Sequence, residues 1–231
     1  MSMQLRNNIW KNTKERCIDY NPVVKAIKET YKENIDLVIN KDSTTVMFFK
    51  EDTIFNSLRS VNNPLVLIFA DDITPGGCVD SGNGMQEESI FRTTSIHKHL
   101  ISDYYPIQIN EVLYTPDIEI FTMPEDYNYS VLNNVYRSFI ACPGIKMSSE
   151  KMQQEEIDVL TNKIRLIFQV AKKYNHKELV LGALGCGVYG CNPKLVAELF
   201  KKVINETSGF VVYFAILGKN YEMFKETFLQ N

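Results

Sequence analysis

The chain has 231 residues, 45% apolar and 23% charged, enough for one sizeable α/β core or two small ones. Its net charge of −3 supplies no basic field to draw in nucleic acid or an acidic membrane, so a polyanionic ligand would have to be held by local amides and helix N-termini. The N-terminus has no apolar leader core, no run approaches the ~18 apolar residues of a membrane span, and the five cysteines (Cys17, Cys78, Cys142, Cys186 and Cys191) are odd in number with no CxxC or histidine pattern, which predicts reduced thiols, no metal site and a soluble, unsecreted protein of the cytoplasm or nucleus.

Residues 1–40 read as a polar helical extension with apolar positions at Val23, Val24, Ile27 and Tyr31, packed on a single domain that spans 1–231. TTVMFFK (44–50) is a strand, and 52–61 a short helix with Asp52 as N-cap. PLVLIFA (64–70) is a continuous apolar run, the pattern of a strand buried on both faces of a mainly parallel sheet. It ends in PGGCVDSGNGMQEE: Gly76, Gly77 and Cys78, a spacer of seven residues, then Gln86, Glu87 and Glu88. Glycines let main-chain N–H groups approach a ligand at little steric cost, and such amides bind phosphate or sugar oxygens. A helix runs from Gln86 to about Leu100, followed by strands EVLYTPDIEIF and VYRSFIACPG and an amphipathic helix over 149–174. ELVLGAL (178–184) is a second buried strand, leading into Gly185, Cys186, Gly187, Val188, Tyr189 and Gly190 and then a helix over 193–205 with proline in its first turn. FVVYFAIL (210–217) is the last strand, and YEMFKETF closes the chain as a helix.

Alternation of strands and helices predicts a three-layer α/β/α sandwich around a mixed, mainly parallel sheet. Ligands bind beyond the carboxyl ends of such strands, so the two glycine loops should meet in one cleft. There the second loop offers amides and a helix N-terminus to an anion. Glu87 and Glu88 are adjacent at a helix start, so their side chains diverge by about 100° and cannot flank a glycosidic bond as an ordinary carboxylate pair does. One carboxyl that first protonates the leaving oxygen and then activates water fits better. Burial and a neighbouring charge would favour its protonated form, against the helix dipole.

The run GG-small, seven residues, QEE closely resembles the signature of the poly(ADP-ribose) glycohydrolases, whose catalytic core is macrodomain-like. VLIFADDITPGG, LYTPDIEIF, FIACPGIKM, LVLGALGCGVYGCNPKLVAELF and GFVVYFAIL resemble successive segments of the compact microbial members, over roughly residues 45–217. The resemblance implies hydrolysis of ribose–ribose O-glycosidic bonds in poly(ADP-ribose), with release of ADP-ribose. It assigns the acid/base role to Glu88, ribose hydroxyls to Glu87, the diphosphate to Gly185–Gly190, the distal ribose to Tyr189 and adenine stacking to Phe214, where a core aromatic is the competing reading. Gly76, Gly77, Cys78, Gln86 and Asp71 complete the expected substrate contacts. No cofactor is implied, since water is the nucleophile. The expected partner is ADP-ribose, its polymer or an ADP-ribosylated protein, bound by a monomer with no sequence-specific affinity for nucleic acid. A mono-ADP-ribosyl hydrolase and a catalytically silent ADP-ribose-binding module are the alternatives.

Three positions depart from the family pattern. Cys78 stands at the third glycine, Ile68 at a usually polar strand position, and Asp71 and Asp72 where Asn or Ser is common. Cys78 would crowd the loop if its φ had to be positive. With no His or Lys beside it in sequence, it reads as a tolerated substitution rather than a nucleophile.

Overall fold

The structure, a computed structural model, describes residues 2–60, 62–149 and 151–230; Val61 and Glu150, which fall in two of the expected helices, lie outside the described residues. Seven strands form one sheet: β1 (Ile27–Thr30), β2 (Thr45–Phe49), β3 (Leu65–Ala70), β4 (Glu111–Thr122), β5 (Val131–Pro143), β6 (Glu178–Leu181) and β7 (Val211–Ala215). Their order is β1-β4-β5-β3-β6-β7-β2. β5, β3, β6, β7 and β2 run parallel, while β4 pairs antiparallel with both β5 and β1. The helices are α1 (Met3–Arg16), α2 (Thr53–Ser57), α3 (Gln86–Thr93), α4 (Gln154–Lys173), α5 (Pro193–Ile204) and α6 (Asn220–Leu229).

The period of two along β3 distributes one apolar run between two cores. Leu65 and Leu67 pack with Leu160, Ile164 and Phe168 of α4 and Phe200 of α5, whereas Val66, Ile68 and Ala70 pack with Trp10 of α1, Ile54 of α2 and Ile90 and Phe91 of α3. Leu65, Val66, Leu67 and Ile68 are all fully buried, each side chain contributing ~1.5–3 kcal/mol by leaving water. The result is the expected three-layer sandwich. α4 starts at a capping box between Gln153 and Glu156, and α5 at Asn192, with Pro193 in the first turn. Among the described residues no helix is long and apolar enough to cross a membrane.

Two expectations about elements are corrected. Residues 1–40 are helical only over α1; the chain then turns irregular through Asn21-Pro22, where proline disfavours helix in the residue before it, and returns as edge strand β1, with Ile27 opposite Tyr114. Val23 is fully exposed rather than part of a buried helical face. α3 stops at Thr93 instead of running to Leu100. Thr94 turns extended, with φ −138°, and bridges to Ile120, while the Thr93 and Thr94 hydroxyls donate back to the carbonyl of Ile90. Ile96 and Leu100 are buried all the same.

Candidate active site

The loops leaving β3 and β6 meet beyond the carboxyl ends of the parallel strands, in a cleft of about 1020 Å³. The first loop (71–85) is shaped from within. Asp71 Oδ1 accepts from the N–H of Ile73 at 2.8 Å and of Thr74 at 2.7 Å, and Gly76 and Gly77 then adopt φ of +78° and +54°. A Cβ on Gly76 would lie 2.5 Å from the Phe91 ring, and one on Gly77 2.9 Å from Glu88 Oε1 and 3.3 Å from Glu87 Oε2. Glycine is therefore required at both positions, by conformation and by space.

The Gly77 contacts also correct the expectation that the two carboxylates diverge. Helical geometry separates their Cβ directions, but the loop folds back over the start of α3 and takes both. Glu87 spans the loop's base, accepting the N–H of Gly76 on Oε1 at 3.0 Å and that of Asp71 on Oε2 at 2.7 Å. Glu88 Oε1 accepts the N–H of Cys78 and the Asn83 side-chain amide, both at 3.1 Å. Glu88 Oε2 has no hydrogen bond to any described residue, and Glu88 lines the cleft. Both glutamates are 5% exposed. Burial, joined by the neighbouring Glu88 and Asp71 charges, pushes Glu87 up to about 8 despite its two backbone donors.

Gln86 was expected to touch substrate, but its amide is committed to β3. Its Oε1 accepts the N–H of Phe69 at 2.9 Å and its Nε2 donates to the carbonyl of Leu67 at 2.7 Å. The β3–β6 ladder ends at Val66, so these two backbone groups would otherwise be unpaired. Gln86 thus ties α3 to the sheet. Cys78 has φ −101° and ψ 33°, so its Cβ causes no strain, and its exposed thiol makes no hydrogen bond to a described residue.

In the second loop Gly185 and Gly190 take φ of +76° and +75°. No described group accepts from the successive N–H groups of Gly187, Val188 and Tyr189, although the amides on either side, of Cys186 and Gly190, are paired within the loop. Val188 is 88% exposed. The start of α5 contributes less than expected to such an anion site, because Asn192 Oδ1 already takes the N–H groups of Lys194 and Leu195 at 2.9 and 3.2 Å. Tyr189 packs on Gly144, where a Cβ would lie 2.9 Å from its ring and from Gly185 Cα. Its hydroxyl donates to Asp72 Oδ1 at 3.2 Å, joining the two loops. Burial would raise Asp72, but Lys146 at 3.2 Å, its own backbone N–H and the Tyr189 hydroxyl together hold it below its ordinary value.

Phe214 is not in the cleft. Strand alternation turns it, fully buried, to the far face of the sheet, where it stacks on Phe48 with ring centroids 5.2 Å apart and packs edge-on against Phe200; its neighbour Ala215 lines the cleft instead. Sequence reasoning missed Arg6, Asp52, Glu125 and Lys146, which also line it. Asp52 was legible only as a helix cap, and burial pushes it up to about 6. Arg6 pairs with Glu125 at 2.7 Å in the β4–β5 connection and donates to the Gly82 carbonyl of the first loop at 3.3 Å, and nothing in a polar helical sequence announces that. Among the described residues no group of three or more His, Cys, Asp and Glu is placed to hold a metal ion.

A mainly parallel sheet whose edge carries an amide-lined loop opposite a carboxylate-bearing one defines a macrodomain-like α/β domain. Residues 3–123 match the family model for the catalytic domain of microbial-type PARG, poly(ADP-ribose) glycohydrolase, and the chain belongs to that family. Among solved structures, poly(ADP-ribose) glycohydrolase from Thermomonospora curvata superposes with a TM-score of 0.81 at 19% identity, covering 97% of this chain and 100% of the other. The same enzyme bound to the inhibitor ADP-HPD gives 0.79 at 20% identity, covering 98% and 99%. The Deinococcus radiodurans enzyme in complex with ADP-ribose gives 0.71 at 20% identity, covering 98% and 92%. At these identities the likeness establishes the fold. Comparison of the sequence with curated proteins found no match.

Proposed function

We propose that the cleft hydrolyses the ribose–ribose O-glycosidic bonds of poly(ADP-ribose) and releases ADP-ribose, with Glu88 as the single acid/base. The observation that carries this is the unequal engagement of the two carboxyls. Both oxygens of Glu87 hold backbone N–H groups, whereas Glu88, which lines the cleft, has no described partner on Oε2. A group that must give a proton to a leaving oxygen and then take one from water needs an oxygen with no prior partner. Glu87 holds the loop in register around that oxygen through its two backbone donors.

The amides of Gly187, Val188 and Tyr189, which no described group accepts from, suit the diphosphate as three adjacent donors. Lys146 neutralises Asp72 beside them, which lowers the repulsion an acidic residue would exert there. The Tyr189 ring, held by Gly144 and Asp72, forms a wall suited to a ribose. The ADP-ribose and ADP-HPD complexes of the two bacterial relatives support a ligand of this class for this chain. The chain acts as one domain, with α1 forming part of the cleft's wall.

Glu88→Gln tests the assignment. It keeps size and the Oε1 acceptor but cannot deliver and retrieve a proton, so turnover should fall ~10²–10⁴-fold with ADP-ribose affinity little changed. Near-normal turnover would remove Glu88 from the role.

A further inference from the structure

We propose that Asn83 is a positioning residue that decides which oxygen of Glu88 handles the proton; this rests on the reading of Glu88 as the acid/base. Asn83 lies between the glycine turn and α3, in the stretch whose sequence signalled nothing beyond a spacer. Its backbone and side chain are held from three sides. The carbonyl accepts from Arg92 at 2.6 Å, a guanidinium on α3 that is only 1% exposed, and the carbonyl of the preceding Gly82 accepts from Arg6 at 3.3 Å. The side-chain Oδ1 accepts the N–H of Gly84 at 2.8 Å.

That last contact fixes the amide's orientation. A backbone N–H only donates, so the atom facing it is the oxygen, and the atom facing Glu88 is the NH₂. Asn83 Nδ2 therefore donates to Glu88 Oε1 at 3.1 Å, beside the Cys78 N–H at the same distance. A carboxyl oxygen has two lone pairs, and both of those on Oε1 are then used. A proton can settle on Oε1 only by displacing a donor, whereas Oε2 has no described partner. The acid form of Glu88 thus carries its proton on Oε2, the oxygen without a described partner, and the base form receives a proton at the same atom. With the Asn83 donor removed, only the Cys78 N–H still holds Oε1, one of its lone pairs is open to the proton, and the proton is no longer confined to Oε2.

The measurement compares Asn83→Asp, Asn83→Ala and Glu88→Gln with the wild type on poly(ADP-ribose), with ADP-ribose titrations confirming that each variant is folded. Asn83→Asp keeps the volume and the acceptor for Gly84 but sets an oxygen where the donor stood; Asn83→Ala removes the donor without adding charge. Loss of a hydrogen bond to a charged group, with the reacting oxygen misplaced, should lower kcat about 10- to 100-fold in both variants. KM and ADP-ribose affinity should stay within about twofold. If Glu88→Gln is inactive while both Asn83 variants turn over normally, the positioning role falls and the acid/base assignment stands. If Glu88→Gln turns over normally, both fall together. A raised KM at unchanged kcat would make Asn83 a substrate contact and would equally overturn the proposal.

Discussion

Glu87 and Glu88 are the same chemical group one residue apart, and the loop around Gly77 gives them different work. Glu87 is held by two backbone donors yet retains a proton up to about pH 8 because burial outweighs them. Between the ordinary carboxylate range and about 8, the folded state binds a proton that the unfolded chain has released, so this group's contribution to stability is full at low pH and is lost as pH rises through about 8. Glu87→Gln cannot titrate. Its Tm relative to wild type should rise progressively from pH 5 to pH 9, whatever its offset at pH 5; a constant difference across that range would show that Glu87 is already ionised in the folded protein. Cys78 is the other residue whose role the backbone decides. With φ at −101° it needs no glycine, and the N–H it donates to Glu88 does not depend on its side chain. Cys78→Gly should therefore retain turnover, since only the thiol is lost. Loss of the catalytic step with ADP-ribose binding intact would mean that the thiol takes part in the chemistry.

The two loops do opposite things with their amides. The first loop spends those of Asp71, Gly76 and Cys78 on the glutamates, and the second leaves those of Gly187, Val188 and Tyr189 without an acceptor among the described residues. The second loop is therefore the place for the diphosphate. Gly187 is the best point at which to test it: it is outside the left-handed region, and the nearest atom to an added Cβ is Met85 Cε at an ordinary 3.6 Å. Gly187→Val should fold normally and bind ADP-ribose about tenfold or more weaker, because the branched side chain would stand where phosphate oxygens approach the amides. Calorimetry showing wild-type affinity in the folded variant would move the diphosphate elsewhere. Gly185 would give a less clean answer, since its φ is +76° and a Cβ there would sit 2.8 Å from Cys191 Sγ.

At the scale of the whole molecule, what sequence made legible was whatever repeats with a short period or stands at a fixed spacing. The apolar runs of β3, β6 and β7 read as buried strands because both faces of the sheet are covered. The loops after β3 and β6 were legible as one cleft because parallel strands deliver their carboxyl ends to one edge. Convergence of the two glutamates was not legible, because it depends on the loop folding back and not on helix geometry. The facing of Phe214 was not legible either: in a strand buried on both sides, alternation says that neighbours face opposite cores but not which core is which. Strand β1 was hidden in a four-residue pairing whose partner, β4, lies more than eighty residues away. The role of α1 was invisible because the Arg6–Glu125 pair is a tertiary event between two ordinary surface residue types.

The central claim, a poly(ADP-ribose)-cleaving cleft with Glu88 as its acid/base, is tested most directly by incubating the protein with auto-poly(ADP-ribosyl)ated substrate and resolving the products by mass spectrometry. Wild type should release free ADP-ribose from the polymer, and Glu88→Gln, still binding ADP-ribose, should release almost none. Polymer left intact while single ADP-ribose adducts are removed would make this a mono-ADP-ribosyl hydrolase. Polymer and adducts both left intact by wild-type protein that binds ADP-ribose would make it a binding module, and either result would contradict the account.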